Sequence, residues 1–272
     1  MSKNILDFEW DGSKIRIRPS AVDTFYNCSF QWFQVFMMGH RSIPGARAAI
    51  GTAVHAGVEA MWKEAQLRNN KDINMSMMND AAIESYQEQD NEFELMYDNG
   101  EDLNTAQDTV LDGTRVFVED IVPFTDIPEG VEEFIEIPMD HAVVNGLGGT
   151  IDYLGGDTIA DVKTSKRKPV PASYTTQQDI YKILAESTGR TINHQLIQGV
   201  AFTKNPVGHI LELESKVDRT KFLVNSLLDT LEAFHKGADP TTLFRGNPKY
   251  YLCSPKYCNF YGKGCPYIDG GK

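Results

Sequence analysis

The stretch "TIADVKTSKRK", residues 158 to 168, ends an apolar run with an aspartate, one intervening residue and a lysine. On a strand, residues two apart share a face, so Asp161 and Lys163 point the same way above Ile159. Asp152 sits on the preceding run, "GLGGTIDYLGG", which turns back at Gly155-Gly156-Asp157 and so presents its carboxylate toward Asp161. Two carboxylates held close repel unless a cation lies between them. Mg²⁺ or Mn²⁺ suits such an oxygen-rich site, and the backbone carbonyl of Val162 can add a ligand. His55, on the earlier stretch "GTAVHAGVE", is the candidate fourth element. An imidazole ligand favours Mn²⁺ somewhat over Mg²⁺. Lys163 is placed to orient an attacking water or to stabilise charge developing on a phosphate. Gln177 and Tyr181, four residues apart in "QQDIY", share a helical face and can contact a phosphate near the site. Lys166, Arg167 and Lys168 follow the strand end and could grip a phosphate backbone.

The cysteines are unevenly placed. Cys28 stands alone, whereas Cys253, Cys258 and Cys265 crowd thirteen residues of a tail rich in Gly, Pro and aromatics. Core packing explains such crowding poorly. An iron–sulfur cluster, a zinc site, a disulfide or free thiols all stay open on spacing alone, although C-x₄-C-x₆-C lacks the paired short spacings usual for zinc.

These residues need a scaffold. The 272-residue chain carries a formal charge of −12. That balance argues against a general nucleic-acid coat protein, but not against a local anion-binding groove. Half of the 38 acids lie between Asp80 and Asp140, where Arg115 is the single Lys or Arg. That segment reads as helices with an acidic surface. No apolar run approaches membrane-span length, and the first residues lack a signal-peptide core, so a cytoplasmic protein is expected, in a host's cytoplasm if phage-encoded. Apolar spacing from Val22 to Phe36 suits a helical face, with Ser20 as the expected N-cap and Asp23 completing a capping box. Residues 46 to 68 read as a strong helix whose buried stripe runs Ile50, Val54, Val58, Met61, Trp62 and Ala65. Gly51, His55 and Glu59 lie along a neighbouring strip, with Glu59 expected to be exposed. Three strands are expected over 131–140, 146–156 and 158–164, then a helix ended by Gly189, two more strands and a long helix before the tail. Glu136 reads as a solvated strand residue. The class is α/β: a mixed central sheet flanked by helices, with an N-terminal helical part and a C-terminal Cys-rich tail.

"GTAVH", "GGTIDYL", "DVKTS" and "QQDIY", in this order, resemble the RecB-type branch of the PD-(D/E)XK nuclease superfamily. A lone upstream cysteine with three in the tail is similar to its iron–sulfur members, which include CRISPR-associated single-strand exonucleases, their phage relatives and AddB-type nuclease domains. "PSAVDTFYNCSFQWF" is similar to the opening helix of that family. The resemblance implies a restriction-endonuclease-like fold in a single domain over 1–272, with a helical insertion at about 70–125 and an iron–sulfur tail at about 245–272. It implies that Asp152 and Asp161 bind metal with His55 as a third ligand, that Lys163 is catalytic, and that Gln177 and Tyr181 assist. It implies that Cys28, Cys253, Cys258 and Cys265 hold a structural [4Fe–4S] cluster. The expected activity is a DNA exonuclease acting on single strands and leaving 5′-phosphate and 3′-hydroxyl ends. A helicase, a recombination complex or CRISPR adaptation supplies the expected partner, since no G-x-x-x-x-G-K-[ST] motif is present. The second acid is Asp161 rather than the commoner Glu. The rival reading is a non-catalytic iron–sulfur DNA- or partner-binding module of the same fold.

Overall fold

A computed structural model describes residues 10–40, 45–93, 95–97, 100–167, 174–255, 257–262, 265 and 267. The chain divides into two compact units, one of Met1–Ser42, Glu136–Gly149 and Lys216–Lys272, the other of Ile43–Ile135 and Thr150–Ser215. No described helix is long and apolar enough to cross a membrane.

The second unit carries the long helix α3 (Ala46–Arg68), followed by α4 (Met75–Phe93) and α5 (Leu103–Asp120). The expected apolar stripe of α3 is buried, from Ile50 to Ala65. Gly57 sets how closely these helices approach: a Cβ there would lie 2.9 Å from the Met78 carbonyl oxygen and 3.2 Å from Thr114 Cγ2. Helix α3 stops at Asn69, whose left-handed φ of 53° ends the helical ladder. Asp102 caps α5, its Oδ1 accepting from the Thr105 amide at 2.8 Å while Thr105 Oγ1 accepts from the Asp102 amide at 2.8 Å.

Strand β2 (Gly130–Pro138) pairs with β3 (Val144–Gly155), which turns into β4 (Thr158–Ser165) through a two-residue hairpin with Gly156 at φ +55°. β4 then crosses over through α6 (Thr175–Ser187) to β5 (His194–Ala201), its parallel partner over eight residues. A parallel neighbour requires such a crossover, and the helix supplies it. β6 (Val207–Glu212) returns antiparallel to β5. Beneath the helices, Tyr153, Ala160, Val162 and Val200 join the α3–α5 side chains in one apolar cluster.

The first unit contains β1 (Ile15–Ile17), paired in parallel with the start of β3, and Arg16 makes a 2.8 Å ion pair with Glu136. Glu136, expected to be solvated, is therefore engaged. Sequence periodicity implies one helix after β1, but the chain makes two, α1 (Pro19–Asn27) and α2 (Ser29–Trp32), then a π turn at Phe33–Met37. Cys28 breaks them with an extended backbone, φ −160° and ψ 93°. Ser20 is not the cap: Arg18 holds that position because Pro19, with φ preset and no amide hydrogen to satisfy, starts the helix. Phe33 packs against Phe244 at 4.4 Å and Phe234 at 5.4 Å between ring centroids, joining α7 (Val217–His235) and the short α8 (Pro240–Leu243) to this N-terminal part. Backbone bonds then tie the chain ends together. The Phe30 amide donates to the Arg245 carbonyl at 3.2 Å, and the Arg245 amide to Ser29 Oγ at 2.7 Å.

Candidate active site

The second unit holds the acid–lysine constellation. The pairing of β3 with β4 runs Tyr153–Ala160, Leu154–Ile159 and Gly155–Thr158, so the next step opposes Asp152 to Asp161 where the ladder ends. Released from a ladder partner, the Val162 amide donates to Asp152 Oδ2 at 2.8 Å. Beside it, His55 Nδ1 lies 3.3 Å from the same oxygen, and His55 Nε2 lies 2.5 Å from the Val162 carbonyl oxygen. Gly51 makes this reach feasible. A Cβ there would stand 2.7 Å from Thr164 Oγ1, so glycine lets α3 settle against β4 one turn before His55.

Asp161 is buried, and two partners hold it. Gln177 Nε2 donates to Asp161 Oδ1 at 3.0 Å, and Lys163 Nζ pairs with Asp161 Oδ2. The Gln177 amide also donates to the Tyr181 hydroxyl at 3.0 Å, so the i, i+4 pair on α6 acts as one unit on the carboxylate. The Lys163 ammonium lies 5.8 Å from the centroid of the Tyr174 ring, within cation–π range.

Glu132 joins this group without any warning in the sequence. Its carboxylate, one His55 nitrogen and an Asp152 oxygen all lie within 4.8 Å of one another, the one such group among the described residues. The Glu132 backbone adopts φ +52°, a left-handed conformation that a glutamate enters at a cost and that clusters at functional sites. The strand is steered there by α3. Gln66 Nε2 donates to the carbonyls of Pro128 at 3.0 Å and Glu129 at 2.9 Å, which anchors the approach to β2. Glu59, expected to be exposed, is half-buried and lines the same cavity as Gly51, His55, Glu132 and Lys163. It pairs with Lys63 one turn on.

Crowded carboxylates in a partly dry site hold their protons. Burial, and then the Asp161 charge, push the Asp152 carboxyl far above the ordinary range. Burial, then Asp152 and Glu59, push Glu132 from 4.5 to about 7. Burial keeps the His55 imidazole below its usual value, and therefore neutral and able to donate a lone pair to a metal. A divalent cation among these three groups would reverse the pressure on both carboxylates.

Lys166 and Arg167 are exposed just past the end of β4, and Lys168 lies outside the described residues. In the first unit, Cys28, Cys253, Cys258 and Cys265 line one cavity, and none is disulfide-bonded. Burial raises the thiols of Cys253 and Cys265, and neighbouring thiols add to the effect.

A sequence model of the PD-(D/E)XK nuclease superfamily matches residues 16–267. The chain belongs to the PD-(D/E)XK nuclease superfamily. Among solved structures, a "putative exonuclease" from Eubacterium rectale is 12% identical and covers 87% of this chain and 86% of its own, with a TM-score of 0.55. That likeness concerns the fold. A structure of SSO0001 is 16% identical over 51% of this chain and 60% of its own, at a TM-score of 0.32 too low to bear on the comparison. No curated protein matches the chain. The matched span includes Asp152, Asp161 and Lys163, and Glu132 is the carboxylate beside them that strand spacing does not disclose.

Proposed function

We propose that this PD-(D/E)XK protein is a metal-dependent DNA exonuclease that hydrolyses single strands, with a structural [4Fe–4S] cluster in its tail. The convergence of His55, Glu132 and Asp152 next to the Asp161–Lys163 pair carries the reading. A divalent cation, Mg²⁺ or Mn²⁺, would polarise the scissile phosphate and acidify a bound water. His55, Asp152 and Glu132 would hold it, with Asp161 and the Val162 carbonyl completing the ligand set once His55 turns from that carbonyl. Lys163, now paired with Asp161, would swing its ammonium toward the attacked phosphate and neutralise charge gathering on the non-bridging oxygens. Gln177 and Tyr181 would keep the Asp161 carboxylate oriented during this exchange. Water oxygen forms the new bond to phosphorus and the bond from phosphorus to the 3′ oxygen breaks. The water's proton passes to solvent or a site carboxylate and the departing 3′ oxygen takes a proton from solvent, leaving a 5′-phosphate and a 3′-hydroxyl. Lys166 and Arg167 would hold the backbone phosphates.

The thiol arrangement supports a cluster more than a zinc ion. All four cysteines line one cavity. Their C-x₄-C-x₆-C spacing lacks the paired short spacings usual for zinc, whereas an iron–sulfur core accepts four thiolates from looser spacings. Such a cluster would tie Cys28 to the tail and remove loop entropy from the unfolded chain. We take the matched span as one nuclease domain, cytoplasmic and served by a separate helicase or recombination partner.

The deciding experiment is digestion of end-labelled single- and double-stranded DNA by anaerobically purified protein with Mn²⁺, Mg²⁺ or EDTA. Metal-dependent loss of the single strand, abolished in Lys163→Ala and Asp152→Ala, is expected. Intact DNA with retained binding would replace this reading with the non-catalytic module.

A further inference from the structure

The C-terminal tail has a composition unlike the rest of the chain. Residues 245–272 contain five Lys or Arg against one Asp, in a protein whose total charge is −12. The same stretch holds five of the eleven tyrosines. A cysteine site requires neither feature. In the structure, Tyr251 is 78% exposed, Tyr257 52% and Tyr267 39%. Exposed aromatic rings gathered on one short segment, rather than scattered singly, mark a candidate contact site.

These rings sit on a built support. Tyr250 and Tyr267 line the cysteine cavity. Tyr251 stands edge-to-face on Tyr250, with centroids 4.9 Å apart and planes at 72°. Successive turns fix the backbone beneath them, with the Cys253 amide donating to the Tyr250 carbonyl at 2.8 Å and the Tyr257 amide to Ser254 at 3.1 Å. Tyr267 packs so closely over Gly246 that a Cβ there would come within 2.8 Å of its ring. Arg245 and Lys249 are exposed on the same segment.

We infer that this tail is a stacking platform for unpaired DNA bases, with Tyr251 and Tyr257 as its rings and Arg245 and Lys249 gripping the flanking phosphates. The inference rests on the nuclease reading for its choice of ligand and adds a site built from residues other than those of the acid–lysine centre. Aromatic faces accept any base, and nearby cations hold the backbone, which is the chemistry of sequence-tolerant single-strand binding. A polyanion meets a chain of net charge −12 most favourably where that charge reverses. Paired bases offer no open face, so the platform selects single strands over blunt duplex.

The test measures binding of a labelled oligo-thymidine and a blunt duplex in EDTA, where cleavage is off, to wild type, Tyr251→Ala, Tyr251→Phe, Tyr251→Leu and Tyr257→Ala. Stacking of one base is worth a 5- to 150-fold change in Kd, by the usual cost of about 1–3 kcal/mol. Tyr251→Ala should weaken oligo-thymidine binding by that factor and leave duplex binding unchanged. Phe should restore it and Leu should not. Mn²⁺-dependent hydrolysis of bis(p-nitrophenyl) phosphate, which has no base to stack, should be the same in wild type and Tyr251→Ala. Failure of wild type to hydrolyse that ester would strike the nuclease reading while leaving the binding comparison intact. No oligo-thymidine binding by wild type, unchanged Kd in both alanine variants, or a Phe variant as weak as Ala would overturn the platform.

Discussion

Glu132→Gln tests the part of the site that only the fold reveals. The Glu132 carboxyl holds its proton up to about pH 7 because burial and the Asp152 and Glu59 charges oppose its ionisation. A metal that uses this carboxylate must expel that proton, so each pH unit below 7 weakens apparent affinity tenfold on this account alone. At pH 5.5 the cost is about 30-fold, or about 2 kcal/mol, and at pH 8 it vanishes. Protons on Asp152 and His55 add their own dependence, shared by both proteins. Calorimetric titration with Mn²⁺ at pH 5.5, 6.5 and 8, in two buffers of different ionisation enthalpy, should show three things. Glu132→Gln binds Mn²⁺ more weakly than wild type at pH 8, because a ligand is gone. Its affinity falls about 30-fold less between pH 8 and 5.5, so the two curves converge in acid. It releases about one proton fewer per metal bound near pH 6. Metal-free stability supplies the opposite sign. Between pH 4.5 and about 7 the unfolded chain gives up this proton and the folded chain keeps it, so wild-type stability falls as pH rises through that window. The Gln variant lacks the fall and should be more stable at pH 8 by about 1 kcal/mol, once solvent screening of a half-exposed group is allowed for. Equal Mn²⁺ affinity at pH 8, or an unchanged pH slope, would refute the assignment of Glu132 to the metal.

Lys163→Ala should reduce the rate of DNA cleavage by about 10²- to 10³-fold with Mn²⁺ affinity within a few-fold of wild type, measured by single-turnover digestion and calorimetry. A parallel loss of metal binding would move Lys163 from charge stabilisation to site assembly. Gly57→Val forces a side chain against the Met78 carbonyl, 2.9 Å from a Cβ at that position, and should cost about 1–3 kcal/mol, seen as a lowered thermal midpoint by circular dichroism. An unchanged midpoint would mean that α3 and α4 separate freely. Cys28→Ser should lose iron and visible absorbance on anaerobic purification and unfold at lower temperature, and a fully iron-loaded variant would remove Cys28 from the cluster.

Much of this protein is legible along its chain because local chemistry repeats locally. The α3 stripe, the Gly156 hairpin, the Asp161-x-Lys163 spacing and the Gln177–Tyr181 pair each depend on residues a few positions apart, where strand and helix periods dictate which side chains share a face. The cap of α1 falls at Arg18 and not at Ser20 because proline at the first helical position outweighs a hydroxyl cap one residue later. Cys28 interrupts an apolar pattern that runs on past it, so periodicity alone carried the helix through a break. Glu132 lay beyond reach for a different reason. Its role depends on a left-handed backbone within a strand and on Gln66 of α3 anchoring the approach to that strand, and neither is encoded in the spacing of "VEEF". Residue types and periods decide which groups can ionise, ligate or stack. Long-range packing decides which of them meet, because a metal site is a set of distances, and 76 residues of intervening chain separate His55 from Glu132 until α3 closes on the sheet.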